Sequence, residues 1–349
     1  QTCTGPVPSI KRSRSRPTIK AMTRRQIFSL LITTTLVTAG GFLFWATELA
    51  VASKPDVQVA AVLGSSTSAS AQRTELQPYP VVTAPEPFIN ARRYALYHVQ
   101  SGKVLTEQDS DIAVPIASTT KLMTALVTIE NEPNLDAPVT ISPEAARQIG
   151  STMELLQGEI ITVRELLYGI ALVSGNDAAL ALSEHIGGKL LRDPAASSEQ
   201  KTSRFVEEMN TRAASLHMLS TQYKDPAGLD DTGRSSALDL AKLTAVTSTF
   251  ELLRTITSTP TRVSRNIAGT IAHDLRNSNR LVADYFYEGA STGKTGFTPD
   301  AGHCLVGSAT RNGVTLVAVV LSTYDETKEA SAVETRKLLD WGFSSLRFE

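Results

Sequence analysis

The chain has 349 residues, 42% of them hydrophobic, with 34 basic against 35 acidic residues and a formal net charge of −1. That is enough apolar material for a full core and excludes a chain that is unstructured throughout; one large domain with appendages is expected. The near-neutral total hides an asymmetry, because residues 1–25 carry seven basic residues and no acid, leaving 27 basic against 35 acidic residues, a net −8, in the remainder.

Such a basic head would suit a nucleic-acid arm, but the residues after it give another reason for the charge. Gln26 to Thr47 is a run of 22 uncharged residues between Arg25 and Glu48. About 20 apolar residues span a bilayer, and a basic flank stays on the cytoplasmic side. The head therefore reads as a topology signal of a membrane-associated or exported protein, and no nucleic-acid partner is expected. Residues 26–52 fit either a retained single-pass anchor or a signal segment. Ala50-Val51-Ala52 resembles a small-residue cleavage site, Met22 is a sensible start for a signal peptide, and Thr23–Phe28 loosely resembles a twin-arginine export signal. Residues 53–87, rich in Ala, Ser, Thr and Pro, read as a disordered linker of roughly 30–35 Å typical reach. The folded domain is then expected over 88–349, outside the cytoplasm (periplasmic), anchored or secreted.

Within it, Tyr94–Val99 and Val104–Glu107 predict a hairpin around Gln100-Ser101-Gly102-Lys103. Leu122–Glu130 predicts an apolar helix, and Val163–Val173 and Ala178–His185 predict two more. A helical region with a polar insertion at Arg192–Ser203 follows. Cys304–Thr310 and Val314–Thr323 predict a second hairpin across Arg311-Asn312-Gly313, and Glu326–Leu346 a closing helix. Strands at both ends with helices between them imply an α+β fold whose sheet is joined from the two ends of the chain.

Three short strings carry the chemistry: Ser118-Thr119-Thr120-Lys121, Ser174-Gly175-Asn176 and Lys294-Thr295-Gly296. Together they fit an acyl-transfer site. Ser118 and Lys121, three apart, share one helical face, and Ser118 falls where the partial positive charge of a helix N-terminus favours a developing anion. A serine hydroxyl needs a base, and lysine serves only as a free amine. Burial beside a second cation lowers a lysine pKa, and Lys294 is the candidate cation. Ser174 then falls on the proton path and Asn176 on a substrate amide. Lys294 and Thr295 suit a carboxylate, with Gly296 letting a substrate backbone approach a strand edge. The plain alternatives are an N-capping serine with a surface lysine and a polar turn between helices. The S-x-x-K pattern also recurs without obvious meaning at Ser198-Glu199-Gln200-Lys201.

Gly289–Thr295 resembles a phosphate-binding loop, but only three residues separate its glycines, and Gly296 and Pro299 follow instead of a helix. The five histidines are scattered without metal-ligand spacing, so neither metal nor cofactor is expected. His303 is expected to be a strand histidine with a structural hydrogen bond, and Cys304 a small buried hydrophobe with no disulfide.

With these strings placed, and with Asp225-Pro226-Ala227-Gly228-Leu229-Asp230 and Ala301–Val306 as context, residues Arg92 to Phe343 resemble the D-alanyl-D-alanine carboxypeptidases, the low-molecular-mass penicillin-binding proteins. The resemblance implies the DD-peptidase/β-lactamase-like fold, a five-stranded antiparallel sheet with packed helices. It also implies a serine-type carboxypeptidase acting on peptidoglycan peptides, with β-lactam antibiotics as covalent inhibitors. Ser118 would be the nucleophile, Lys121 its proton acceptor and Ser174 the second catalytic serine. Asn176, Lys294, Thr295, Gly296 and Phe297 would bind substrate, with backbone N–H groups of Ser118 and Phe297 forming the oxyanion hole. Many relatives add a β-rich domain and a C-terminal amphipathic helix, which are not expected before Glu349. Ser-Gly-Asn in place of Ser-Asp-Asn weighs against a β-lactamase. A DD-endopeptidase cutting cross-links and a non-catalytic wall-binding protein are the alternatives.

Overall fold

The computed structural model describes residues 80–348. The basic head, the apolar segment 26–52 and Cys3 lie outside the described residues, and the linker expected over 53–87 does so up to residue 79. Its last part is structured: β1 (Pro80–Val82) pairs antiparallel with β11 (Leu346–Phe348), and Trp341 Nε1 donates to the carbonyl of Pro85 at 2.7 Å. The packed unit therefore reaches back before the expected start at residue 88, because a C-terminal strand supplies the partner that the local sequence lacks.

The main sheet has the order β3-β2-β10-β9-β8, every neighbouring pair antiparallel. β2 (Ala91–His98) and β3 (Lys103–Gln108) form the first predicted hairpin. β9 (Gly302–Arg311) and β10 (Val314–Thr323) form the second, and β8 (Ala290–Thr298) is an edge strand. Both faces are covered, which is why β10 is almost continuously apolar rather than alternating. Val317, Val319 and Leu321 enter one core, with Met123 and Leu126 of α1 (Lys121–Asn131). Leu316, Ala318 and Val320 enter another beneath Leu338 and Leu339 of the C-terminal helix. That helix runs Ala330–Ser345, shorter at its start than the expected Glu326–Leu346.

Between the strands lie the remaining helices: α2 (Pro143–Ala146), α3 (Val163–Leu172), α4 (Asn176–Leu191), α5 (Ser198–Ser215), α6 (Ala237–Thr247), α7 (Glu251–Thr257) and α8 (Arg280–Ala283), with the C-terminal helix as α9. A third core joins α3 and α4. The polar insertion expected at Arg192–Ser203 is loop only as far as Ser197. Ser197 and Gln200 form a reciprocal capping box that starts α5, so Ser198–Ser203 is helical. This also accounts for the repeated S-x-x-K pattern. Ser198 bonds Glu184 at 2.5 Å and Lys201 Nζ bonds the carbonyl of Pro194 at 2.8 Å, so both are spent on packing α5. Two short strand pairs escaped the sequence reading: β4 (Pro138–Thr140) with β5 (Ile160–Thr162), and β6 (Thr261–Arg265) with β7 (Ala272–Arg276). They are only three to five residues long, and their buried positions include the polar Ser264 and His273 while Val263 is exposed, so no apolar alternation marks them in the sequence.

Cys304 is buried on β9, and burial pushes its thiol pKa up to about 12, as expected of a small core residue. Among the described residues no helix is long and apolar enough to cross a membrane, and no cluster of three or more His, Cys, Asp or Glu is arranged to hold a metal.

The chain crossing nearest the first motif leaves no spare room. Gly228 has φ +76°, and a Cβ there would lie 1.9 Å from the carbonyl oxygen of Ala117. Gly228→Ala is therefore expected to destabilise the fold by about 2–4 kcal/mol, lowering the melting temperature by several degrees. A thermal melt within a degree of wild type would contradict this packing.

Candidate active site

The first motif is a 3₁₀ turn, Ala117–Thr120, that runs directly into α1. Ser118 thus sits one turn ahead of the helix rather than inside its first turn. The turn is held by Thr119, whose N–H and hydroxyl both donate to the carbonyl of Ile116, at 3.2 and 2.8 Å. Ala117 accepts a left-handed conformation with φ 47° to make the bend. Lys121 opens α1 with its side chain 1% exposed, and its Nζ lies 2.9 Å from Ser118 Oγ.

Two other segments complete the surroundings of that amine. Asn176 Oδ1 accepts from it at 2.8 Å and the carbonyl of Ala227 at 2.7 Å. The remaining end of Asn176 is occupied too, since Nδ2 donates to the carbonyl of Ile149 at 2.7 Å. Sequence reasoning assigned Asn176 to a substrate amide. In this structure both ends of its side chain are spent within the protein, holding Lys121 to the 149–151 loop. Ser174 precedes α4 with φ 62° and is 6% exposed. It shares the site with Lys121 through Asn176 but is not one of the three hydrogen-bond partners of that lysine.

Burial lowers the Lys121 pKa from 10.5 to about 7, against the pull of Asp225 and Asp177, which raise it. The expectation that Lys294 depresses it needs correcting, because desolvation alone supplies the lowering. The repulsion shows instead on Lys294, which is 2% exposed and held well below its ordinary value by burial and then by the Lys121 charge. Two buried amines this close do not both carry charge readily. An anion arriving beside Lys294 would favour its charged form.

Lys294 lies on the edge strand β8, and its Nζ donates to the carbonyl of Thr295 at 2.9 Å and to Thr295 Oγ1 at 3.3 Å. Thr295 Oγ1 is also 2.8 Å from Ser278 Oγ, a hydroxyl that the sequence reading did not single out. Gly296 does make a close approach possible, but to the protein itself: a Cβ there would meet the carbonyl oxygen of Ile116 at 2.8 Å. β8 thereby presses against the Ser118 turn, bringing the first and third motifs together. Phe297 is 58% exposed and stacks on His303, ring centroids 4.4 Å apart. His303 Nε2 lies 2.8 Å from the carbonyl oxygen of Glu326, the structural bond expected of it.

Two carboxylates brace the site without touching its centre. Asp177 accepts from the N–H groups of Met153, Leu155 and Ala178, tying the 151–155 loop to α4. Asp225 accepts from four successive N–H groups, Ala227 to Asp230, at 2.6 to 3.0 Å. This turn presents the carbonyls of Pro226 to Thr124 Oγ1 and of Ala227 to Lys121. In the sequence Asp225–Asp230 stands only as context for the resemblance, and nothing local marks its contact with Lys121. A hydroxyl 2.9 Å from a buried amine that is largely unprotonated above neutral pH is an arrangement able to generate an alkoxide nucleophile.

Comparison with known proteins agrees with this geometry. A sequence profile described as D-alanyl-D-alanine carboxypeptidase matches residues 80–324. The chain is 36% identical over 259 residues to the D-alanyl-D-alanine carboxypeptidase DacF of Bacillus subtilis, covering 73% of this chain and 62% of that one. It is 34% identical over 246 residues to a D-alanyl-D-alanine endopeptidase of Pseudomonas aeruginosa, covering 69% and 74% respectively. Among solved structures, the DD-transpeptidase of Streptomyces K15 superposes with a TM-score of 0.69 at 30% identity, covering 75% of this chain and all of that one. The fold is that of the DD-peptidases, and the chain belongs to the D-alanyl-D-alanine carboxypeptidase family.

Proposed function

We propose that the protein is a serine-type D-Ala-D-Ala carboxypeptidase that removes the terminal D-alanine of peptidoglycan pentapeptides through an acyl-enzyme on Ser118. The observation that carries this reading is the 2.9 Å contact between Ser118 Oγ and a fully buried Lys121 with a pKa near 7. Lys121 as free amine takes the hydroxyl proton while Oγ attacks the penultimate carbonyl. The same proton then passes to the departing D-alanine amine, and water later cleaves the ester. Ser174 stands beside Asn176 as a relay for that proton. Lys294 and Thr295 receive the substrate's terminal carboxylate, with Ser278 steadying the threonine hydroxyl. β-Lactams, which present a carboxylate and a strained amide, enter the same site as covalent inhibitors. A purely wall-binding role would not require a lysine amine kept dry against a serine.

Ser118→Ala is expected to abolish covalent labelling by a fluorescent penicillin, and Lys121→Arg to do the same although charge survives, because guanidinium keeps its proton. In the wild type, acylation should rise about tenfold per pH unit below about 7 and level off above it, since the unprotonated amine is the active form. Labelling that persists in Ser118→Ala, or a rate flat from pH 5 to 9, would sink the assignment.

Relatives named carboxypeptidase and endopeptidase both align, and Lys294 with Thr295 suits the carboxylate of either substrate. We assign the carboxypeptidase role because a free terminal D-alanine needs no further room beyond the scissile bond. D-Alanine release from pentapeptide is expected to outpace cleavage of purified cross-linked dimers. Rapid dimer cleavage with negligible D-alanine release would reverse the choice.

The folded domain is proposed to work outside the cytoplasm, held by residues 26–47 or released after Ala52. The motive is the basic flank before an uncharged run of 22 residues. A reporter fused after Glu349 should be active only in its exported form, and activity confined to the cytoplasm would refute this topology.

A further inference from the structure

Between β7 and α8 runs Asn277-Ser278-Asn279, three uncharged residues that belong to none of the three motifs. Asn277 and Asn279 are 4% and 3% exposed, whereas Ser278 is exposed and brings its Oγ to 2.8 Å from Thr295 Oγ1. Asn277 uses both ends of its amide. Nδ2 donates to the carbonyls of Thr257 and Thr259, at 2.8 and 2.9 Å, and Oδ1 accepts the N–H of Asn279 at 2.9 Å. Its own N–H donates to the carbonyl of Pro260 at 2.8 Å. The carbonyls taken up lie at and just beyond the C-terminal end of α7, where a helix leaves such groups unpaired. The N–H of Ser278 donates to the carbonyl of Leu172, the last residue of α3 and two before Ser174, at 2.8 Å. Asn279 packs on β8, since a Cβ on Gly293 would lie 2.7 Å from its Nδ2. One short segment thus joins α7, α3 and β8, and carries a hydroxyl to the third motif from a backbone anchored beside the second.

The direction of the Ser278–Thr295 bond matters to an arriving anion. A threonine hydroxyl has one proton to give, and a carboxylate only accepts. Thr295 Oγ1 already accepts from Lys294 Nζ at 3.3 Å. For Thr295 to turn its proton toward the substrate's carboxylate, Ser278 must be the donor in their contact. We infer that Asn277 is a positioning residue for carboxylate recognition: it fixes the backbone so that the Ser278 hydroxyl donates to Thr295 and leaves the threonine proton for the substrate. Every bond of the Asn277 side chain is to the protein backbone, so it acts only through Ser278. An aspartate in its place would set an acceptor-only group against two carbonyls. The role rests on the carboxypeptidase reading above.

The test uses the full chain and two peptides ending in D-Ala-D-Ala, one with its terminal carboxylate free and the other with that group as the primary amide. Asn277→Ala is expected to lower kcat/KM for the acid about tenfold, mainly through KM, and to leave the amide within about twofold of wild type. Ser278→Ala should do the same, and the double variant should be no worse than either single one, because both changes remove one interaction. The pH midpoint near 7 that Lys121 sets should not move in either variant. Asn277→Asp should lose more than Asn277→Ala. An equal loss on both peptides, additive losses in the double variant or a displaced pH midpoint would overturn the positioning role while leaving the carboxypeptidase reading intact. A wild type that releases no D-alanine from the acid would overturn that reading and this role with it. If Asn277→Ala does not fold, Asn277→Gln takes its place and the same outcomes decide.

Discussion

The dry environment of the Lys121 amine is the constraint on which the rest of this site depends. An ammonium taken out of water loses far more than its neutral form does, so burial shifts the equilibrium toward the free amine. Two carboxylates, Asp177 and Asp225, pull the other way, and desolvation outweighs them. The displacement from 10.5 to about 7 corresponds to roughly 5 kcal/mol. That cost is borne by three chain segments far apart in sequence, which supply Ser118, Asn176 and the Ala227 carbonyl as partners. Removing any of them would admit water or leave a buried polar group unpaired.

Close backbone approach is what keeps those segments together. The Ser118 turn is gripped on two sides, by Gly228 from the Asp225 loop and by Gly296 from β8, at distances no Cβ would tolerate. Two non-glycine residues here take a left-handed conformation: Ala117, immediately before Ser118, and Ser174, itself a motif residue. Such conformations persist only where surrounding structure over-determines them. Here the surroundings are the hydrogen bonds of Thr119 to Ile116 and of Asp177 to the 151–155 loop.

The sheet gives these contacts a fixed reference. Because both faces of β10 are buried, a one-residue slip of register would bring no polar face to water and would misplace every packed side chain instead. β8, paired on one side only, is rigid enough to carry Lys294 and open enough to receive an extended peptide along its other edge. A strand edge of this kind offers main-chain hydrogen bonds to any extended ligand, and side-chain pockets along it then discriminate among ligands.

The sequence by itself determined the two hairpins, the apolar helices and the identity of the three motifs, since each is written in local periodicity or in a short fixed spacing. Ser118 and Lys121 were legible as a pair because three residues of helix or 3₁₀ turn bring them together whatever surrounds them. The tertiary structure alone decided what lies between the motifs. The inward commitment of Asn176, the Ala227 carbonyl on Lys121, the pairing of Ser278 with Thr295 and the meeting of β1 with β11 all join residues distant in the chain. No local pattern encodes such contacts. The source of the lysine's lowered pKa was likewise hidden, because burial is a property of the packed fold, whereas a neighbouring charge can be guessed from a residue type.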